Sequence, residues 1–225
     1  KCVGTDRRRD PGRVIDVLNA LDADIIALQE VDRRLPPRPA ALPPDLVQSH
    51  SDFKALPFAL TEEGLGWHGQ ALLVRGQYSM TALKRIILPG LEPRGAVMAE
   101  LEVPQGQLRV VGVHLGLLRR YRLMQMRAIR AAMSKRPAMQ TVILGDFNEW
   151  STRGGMGPLT DLFRIHAPGR SFHATRPVAA LDRVALTADL HLRDAGVLQS
   201  PLARVASDHL PIWADIRIGS SEAAG

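Results

Sequence analysis

The chain has 225 residues, of which 45% are hydrophobic and 23% are charged, and this composition excludes an intrinsically disordered protein. Its 29 Lys and Arg residues outnumber its 23 Asp and Glu residues, and the formal net charge of +6 permits an anionic partner such as nucleic acid or an acidic lipid surface. The single cysteine, Cys2, excludes an internal disulfide and a four-cysteine zinc site.

The length predicts one domain over residues 1–225. No stretch of the sequence approaches the ~20 apolar residues that a transmembrane helix requires. No secretory signal is visible either, so we expect a cytoplasmic location.

The first predicted elements are a helix, a strand and a proline-rich loop. Residues Arg13–Leu21 carry apolar side chains three and four positions apart, which is the spacing of an amphipathic helix. The apolar run Asp24–Glu30 predicts a buried strand that ends in a carboxylate. The prolines of Leu35–Pro44 predict a loop.

Further strands are predicted where short apolar segments are bounded by Gly and Pro. These segments are Gln70–Val74, Thr81–Ile87, Ala96–Val103, Gln107–His114, Gln140–Gly145, Asp182–Leu186 and Leu210–Ile218. The tail Gly219–Gly225 is expected to be frayed.

The longest predicted helix is Leu117–Arg136. Its apolar face comprises Leu118, Tyr121, Ile129, Ala132 and Met133. Its basic face comprises Arg119, Arg120, Arg127 and Arg130.

Polar side chains that carry chemistry stand at the ends of several predicted strands. Glu30, His114, Asp146 and Asn148 follow strands, whereas Asp182, Asp208 and His209 lie at the start of strands. Desolvating a charge is costly unless the charge is paired or bound to a metal, so these repeated carboxylates need an explanation. If the last two strands run antiparallel to the first three, all of these side chains meet at one rim. The sequence therefore predicts a site at that rim.

Such a rim would hold several carboxylates, which repel one another, so a hard divalent cation is expected among them. Oxygen ligands of this kind suit Mg²⁺ or Mn²⁺. Two histidines among carboxylates could exchange protons near neutral pH. These groups suit hydrolysis of a phosphate ester, in which a metal polarises the phosphoryl oxygen and a base activates water.

The order of these motifs resembles that of the endonuclease/exonuclease/phosphatase superfamily, which comprises DNase I-like, metal-dependent phosphoesterases. The specific motifs are Gly-Asp-Phe-Asn at 145–148 and Ser-Asp-His-Leu-Pro at 207–211, and the whole set extends from Ala23 to Ile216. The resemblance implies an α/β fold, a four-layer α/β sandwich of two packed mixed β-sheets flanked by helices.

The resemblance also implies catalytic roles. His209 corresponds to a histidine that contacts the phosphate, and Asp182 to the aspartate that pairs with it. Asp146 and Asn148 correspond to the pair that orients the attacking water and a phosphoryl oxygen, and His114 to a position that donates to the phosphate. Whether Asp146 or His209 accepts the proton of the water stays open.

Two further positions correspond to metal-binding residues of the family. Glu30 corresponds to a metal-binding glutamate, and Asp208 to an aspartate that neighbours or binds the metal. The implied cofactor is Mg²⁺ or Mn²⁺.

The sequence departs from the family pattern in two places. Lys1-Cys2-Val3-Gly4 resembles the residues that follow the family's first strand, so this strand and its catalytic asparagine are expected to be missing from residues 1–225. Gly69-Gln70-Ala71 stands where many relatives have Gly-Asn-Ala.

The sequence therefore predicts a hydrolase that acts on a phosphodiester or phosphomonoester, with nucleic acid or a phospholipid or inositol-type head group as substrate. No stable protein partner is implied. The alternative is a catalytically silent relative that binds an anion or nucleic acid through its basic helix. Trp150 is the aromatic residue that could touch a substrate, and Arg94 is a candidate to line the rim.

Overall fold

The computed structural model describes residues 1–35, 37–151 and 154–219. Its elements follow in the order α1 (Pro11–Ala20), β1 (Ile25–Leu28), α2 (Pro44–His50), β2 (Phe53–Ala55), β3 (Ala71–Arg75), β4 (Ser79–Leu88), β5 (Arg94–Val103), β6 (Gly106–His114), α3 (Arg119–Met133), β7 (Thr141–Asp146), β8 (Phe163–His166), β9 (Asp182–Thr187), β10 (Leu190–Val197), α4 (Pro201–Ala206) and β11 (Ile212–Ile218).

The largest sheet has six strands in the order β4-β5-β6-β7-β9-β8. Strands β6 and β7 are parallel, and the other neighbouring pairs are antiparallel. Central side chains such as Val111 and Ile143 are fully buried, which explains why these strands are continuous apolar runs. The register sets His114 opposite Asp146 and Asp146 opposite Asp182, so three strand ends meet at one edge of the sheet.

The second sheet layer consists of two smaller antiparallel sheets, β1-β3-β2 and β10-β11. Both pack on the same face of the six-stranded sheet. The apolar cluster between the layers includes Leu72 of β3 with Val110 of β6 and Val184 of β9, and Ile216 of β11 packs against it.

Helices cover the outer faces of both layers. Met126 and Ile129 of α3 pack against the six-stranded sheet through a cluster that includes Ile143. Ile15 of α1 and Val47 of α2 pack on the outer side of the β1-β3-β2 sheet, and α4 packs beside α1. The result is the predicted four-layer α/β sandwich, with its second sheet layer divided in two.

A groove lies between the two smaller sheets. Within the described residues, β1 pairs only with β3 and β11 pairs only with β10, so each of these two strands has one edge without a partner strand. Side chains of β1, β11 and the facing side of the six-stranded sheet line a cavity of about 1510 Å³. The same cavity extends to the edge where His114, Asp146 and Asp182 meet.

The helices and strands predicted from the sequence are all present, with ends that shift by a few residues. The elements α2, β2, β8, β10 and α4 were not predicted. Elements α2, β2, β8 and α4 have three to seven residues, and β10 exposes much of its length, so their apolar periodicity is weak. Residue 36 of the predicted loop and residues 220–225 of the predicted frayed tail lie outside the described residues. No helix in the described ranges is long and apolar enough to cross a membrane.

One side chain of the longest helix was assigned wrongly. Leu118 was placed on the apolar face, but it is the N-cap residue of α3 and is 52% exposed. Arg122 and Gln125 are buried on the inner face instead. They lie on the face of the helix where the spacing predicts apolar side chains. They can be buried there because the adjacent loops offer hydrogen-bond partners, which hydrophobic periodicity does not reveal.

A buried ion cluster ties the C-terminal end of α3 to the large sheet. Glu100 of β5 lies opposite Arg109 of β6, and Glu100 Oε1 accepts a hydrogen bond from Arg109 Nη2 at 2.8 Å. Arg136, beyond α3, donates to both carboxylate oxygens at 2.7 and 2.9 Å. The hydrogen bond from Arg136, opposed by burial and reinforced by Arg109, lowers the pKa of Glu100 to about 2.

Glu100→Gln is expected to lower the free energy of unfolding by about 3 kcal/mol, because it removes the counter-charge of a buried guanidinium. The carboxylate's contribution is complete above its unfolded-state pKa and is lost as the pH falls toward about 2. The unfolding free energy of the wild-type protein should therefore fall more steeply in acid than that of the variant. Urea unfolding at neutral and acidic pH measures both effects.

Glu102→Gln is the control, since Glu102 is an exposed carboxylate on the same strand. Equal losses for the two variants, or parallel acid profiles for Glu100→Gln and the wild-type protein, would contradict the prediction.

Candidate active site

The floor of the candidate site is formed by three adjacent strand ends. Strands β6 and β7 end at His114 and Asp146, and β9 begins at Asp182. Gly145 has a φ of 134°, and a Cβ atom there would lie 2.1 Å from the carbonyl oxygen of Val113. Only glycine permits this close approach, which explains the first residue of the Gly-Asp-Phe-Asn motif.

Asp182 orients the imidazole of His209. Its Oδ2 atom lies 2.8 Å from His209 Nδ1 in a hydrogen bond, and the hydroxyl of Ser171 donates to the same oxygen. Ser171 is fully buried, so it holds the carboxylate from the inner side. The Nε2 atom of His209 is left 4.0 Å from Oδ2 of Asp146.

Asp146 stands between two imidazoles. Its Oδ2 atom lies 3.3 Å from Nε2 of His114, in addition to its approach to His209. Its Oδ1 atom accepts the backbone N–H of Asn148 at 2.7 Å. Asn148 adopts a φ of 50°, which Asn tolerates better than most residues, and its side-chain amide donates to the Leu115 carbonyl at 2.8 Å. This turn fixes a carboxylate and an amide beside both histidines.

Burial and neighbouring charges shift the pKa values of these groups in different directions. Burial, together with the charge of Asp182, raises the pKa of Asp146 above its usual range. Burial opposes protonation of His209, but the hydrogen bond and charge of Asp182 and the other nearby carboxylates outweigh it and raise the pKa of His209 to about 9. Burial, with the positive charge of Arg94, lowers the pKa of His114 well below its usual value. At neutral pH His209 is therefore cationic and His114 is neutral.

Glu30 and Asp208 border the same cavity. Glu30 has a φ of 56°, and its Oε2 atom lies 3.1 Å from the Nζ atom of Lys1. Asp208 is exposed and accepts a hydrogen bond from the hydroxyl of Ser207 at 3.3 Å. Across the described ranges, no three His, Cys, Asp or Glu side chains are grouped closely enough to hold a metal ion.

The residues that the sequence placed at one rim do line one cavity. They are Glu30, His114, Asp146, Asn148, Asp182, Asp208 and His209, and Arg94 lines it as well. No sequence pattern points to Ser171, Phe172 or Glu149, which lie in segments without apolar periodicity. Only their contacts in the structure identify them. For example, the ring of Phe172 packs against the ring of His209, with 5.0 Å between the ring centroids.

The basic face of α3 lies away from this cavity. Arg119, Arg120, Arg127 and Arg130 are not among the residues that line it. Arg130 instead pairs with Asp161 at 2.7 Å on the protein surface.

A buried arginine of α3 fastens the two loops that carry the site. Arg122 Nη2 donates to Glu149 Oε2 at 2.8 Å, and Arg122 Nη1 donates to the carbonyl of Leu117 at 2.6 Å. Gln125 Oε1 accepts the backbone N–H of Gly116 at 2.8 Å. The loop after His114 and the loop after Asn148 are therefore both tied to the same helix.

A family model described as the Endonuclease/Exonuclease/phosphatase family matches residues 3–209 of the sequence. No curated protein matches the sequence.

Several solved structures share the fold. A functionally unknown conserved protein from Enterococcus faecalis has a TM-score of 0.74 and 20% identity, with 92% of this chain and 90% of that chain covered. A mannosyl-6-phosphatase from Bacteroides thetaiotaomicron has a TM-score of 0.72 and 12% identity, with coverage of 92% and 90%. The human Nocturnin catalytic domain with bound sulfate anion has a TM-score of 0.69 and 20% identity, with coverage of 96% and 90%. The TM-scores show that these structures share the fold of this chain. At identities this low, the similarity shows the fold alone.

Arg122→Met is expected to lower the free energy of unfolding by about 3 kcal/mol, because it leaves the carboxylate of Glu149 buried without its partner. The double variant Arg122→Met/Glu149→Gln should recover part of this loss, since neither charge is then buried alone. Urea unfolding of the single and double variants measures the coupling. Arg127→Met, at an exposed position of the same helix, is the control. Losses that simply add in the double variant would argue against the ion pair.

Proposed function

The chain belongs to the endonuclease/exonuclease/phosphatase family, and from this premise we propose that it is a divalent-metal-dependent hydrolase of phosphate esters. The observation that carries the proposal is the meeting in one cavity of His209, oriented by Asp182, with the carboxylate of Asp146, whose Oδ2 atom lies 4.0 Å from His209 Nε2. An imidazolium suits an anionic phosphoryl group, and a carboxylate of raised pKa suits a general base near neutral pH. Family membership supports phosphoesterase activity, and the metal dependence and the roles of individual residues are our proposals.

We propose that Asp146 accepts the proton of the attacking water. We also propose that His209 donates a hydrogen bond to a phosphoryl oxygen. The nearby carboxylates raise the pKa of His209 to about 9, which favours the imidazolium as a hydrogen-bond donor to the phosphate over the imidazole as a base. Asp182 keeps its ring in place through Nδ1. The Asn148 amide uses one N–H for the Leu115 carbonyl and keeps its second N–H and its oxygen for water or phosphate. His114, whose pKa is lowered by burial, has its Nδ1 atom buried, so the Nε2–H that lies 3.3 Å from Asp146 Oδ2 is the group that would donate to the phosphate.

The donor chemistry of the cavity fits Mg²⁺ or Mn²⁺. The carboxylate of Glu30 already faces a positive charge, the ammonium of Lys1 at 3.1 Å, so this position attracts a cation. Mg²⁺ commonly binds through one or two carboxylates and takes its remaining ligands from water and substrate phosphate, so it does not need three protein ligands in advance. We propose that Glu30 and Asp208 hold the ion. When bound, it polarises the phosphoryl oxygen and stabilises negative charge on the leaving oxygen.

We also propose that residues 1–225 form one domain that lacks the family's first strand. The groove supports this proposal, because β1 and β11 border it and each has an edge without a partner strand within the described residues.

Bis-p-nitrophenyl phosphate is expected to be hydrolysed in the presence of Mg²⁺ or Mn²⁺, to be spared in EDTA, and to be hydrolysed again when the metal is restored. Release of p-nitrophenol measures the rate. Glu30→Gln should raise the metal concentration needed for half-maximal rate, whereas Glu63→Gln, at an exposed carboxylate, should not. Turnover that survives EDTA would contradict the metal assignment. Absence of turnover with both metals would favour the catalytically silent alternative.

His209→Ala and Asp146→Ala are each expected to lower kcat by about 100-fold or more, because each removes a group proposed to hold the phosphoryl oxygen or to accept a proton. His191→Ala is the matched control, since His191 is exposed on β10. Circular dichroism of each variant checks that the fold is intact. Wild-type rates in the folded His209 or Asp146 variants would remove the assigned roles.

A further inference from the structure

The cavity that holds the candidate site has an apolar wall formed by Leu117, Trp150 and Phe172. Trp150 is 63% exposed and Leu117 is 64% exposed. Large apolar side chains in a concave site mark the part of the site that contacts the apolar portion of a ligand. The catalytic roles proposed above do not use this wall.

Trp150 follows two residues that are anchored in the protein interior. The side chains of the two preceding residues, Asn148 and Glu149, are both buried and hydrogen-bonded to the protein interior. The Glu149 carbonyl also accepts a hydrogen bond from Arg183 at 3.2 Å. Because the side chains of these neighbours are turned inward, the indole is the side chain of this segment that lies exposed beside the site.

The two aromatic rings of the wall form a corner next to the catalytic imidazole. The ring centroids of Trp150 and Phe172 are 6.2 Å apart, and the angle between the two ring planes is 81°. Phe172 in turn packs against the ring of His209. A planar ring that stacks on the edge-on member of such a pair presents its own edge to the face of the other. Both arrangements are favoured between aromatic rings. A flexible alkyl chain gains only contact area from this geometry.

The rest of the lining is suited to the anionic part of the same ligand. His114 and His209 border the cavity. Lys1, Arg34 and Arg94 border it as well, each beside a carboxylate, because Lys1 pairs with Glu30 and both arginines pair with Glu92. A ligand with a charged end and a flat apolar end therefore matches the two parts of the lining.

Building on the proposed phosphoesterase function, we propose that the substrate is a phosphate ester that carries a planar aromatic ring, and that this ring stacks on Trp150 while the phosphate lies at His114 and His209. The ring is either a simple aryl group or the base of a nucleotide. Trp150 thus selects the substrate and takes no part in the proton transfers.

Binding of ligands that cannot be hydrolysed tests the stacking apart from catalysis. Isothermal titration calorimetry in Mg²⁺ compares phenylphosphonate, n-hexylphosphonate and methylphosphonate. The wild-type protein is expected to bind the phenyl ligand about tenfold more tightly than the methyl ligand, and more tightly than the hexyl ligand. Trp150→Ala should abolish this preference and leave the Kd for methylphosphonate within about twofold, and Trp150→Phe should keep part of the preference.

A matched control comes from Ile87, which is 78% exposed on β4 and is not among the residues lining the cavity. Ile87→Ala should leave all three affinities unchanged. Comparison of the KM values for uridine 5′-monophosphate and ribose 5-phosphate, both of which are hydrolysable esters, distinguishes the two sources of the ring. An advantage of the nucleotide that Trp150→Ala removes identifies a base, and its absence beside a retained phenyl preference identifies an aryl ester.

Kinetics then connect the stacking to turnover. For phenyl phosphate, Trp150→Ala should raise KM about tenfold with little change in kcat, whereas the values for methyl phosphate, which carries no ring, should stay the same when release of inorganic phosphate is followed. A hexyl ligand that binds as tightly as the phenyl ligand, or an equal loss for the methyl and phenyl ligands in Trp150→Ala, would overturn the inference. A phenyl preference without any ester hydrolysis would leave the inference standing and reject the proposed phosphoesterase function.

Discussion

The hydrogen bond between His209 and Asp182 is the interaction on which the candidate site depends. It brings a positive charge into a region where the carboxylates of Asp146 and Asp182 are both buried. Two buried carboxylates without a counter-charge would repel each other and lose their hydration. Asp182 hydrogen-bonds the imidazole and sets its orientation. Asp146 keeps a raised pKa and lines the cavity, with its Oδ2 atom 4.0 Å from His209 Nε2.

The remaining architecture holds these charges in position. The parallel pairing of β6 with β7 and the antiparallel pairing of β7 with β9 bring three strand ends to one edge, although the residues are far apart in the sequence. The close approach at Gly145 and the turn at Asn148 then set the direction of the Asp146 carboxylate. The ion pair of Arg122 with Glu149 fixes the loops above them, so the site rests on a helix and three strands.

The cavity combines two kinds of surface, and this combination bears on what it binds. Cationic side chains and the histidines suit a phosphate, whereas the Trp150 and Phe172 rings suit a flat apolar group attached to it. The two kinds of surface share their loops, since Trp150 follows Asn148 and Phe172 follows Ser171. Structures of 12–20% identity share the fold of this chain, and what the chain binds has to be argued from its own side chains.

The sequence by itself determined the longer helices and strands, the layered α/β class and the group of polar residues at strand ends. It could do so because apolar periodicity and motif order are local properties of the chain, as in the Gly-Asp-Phe-Asn segment at 145–148. Only the tertiary structure decided which partner each side chain has. Ser171 behind Asp182, Glu149 beneath Arg122 and Phe172 beside His209 are contacts between segments distant in sequence, and the short elements that carry or flank them have too little periodicity to be predicted. Those contacts depend on strand register and burial, which arise only when the layers pack.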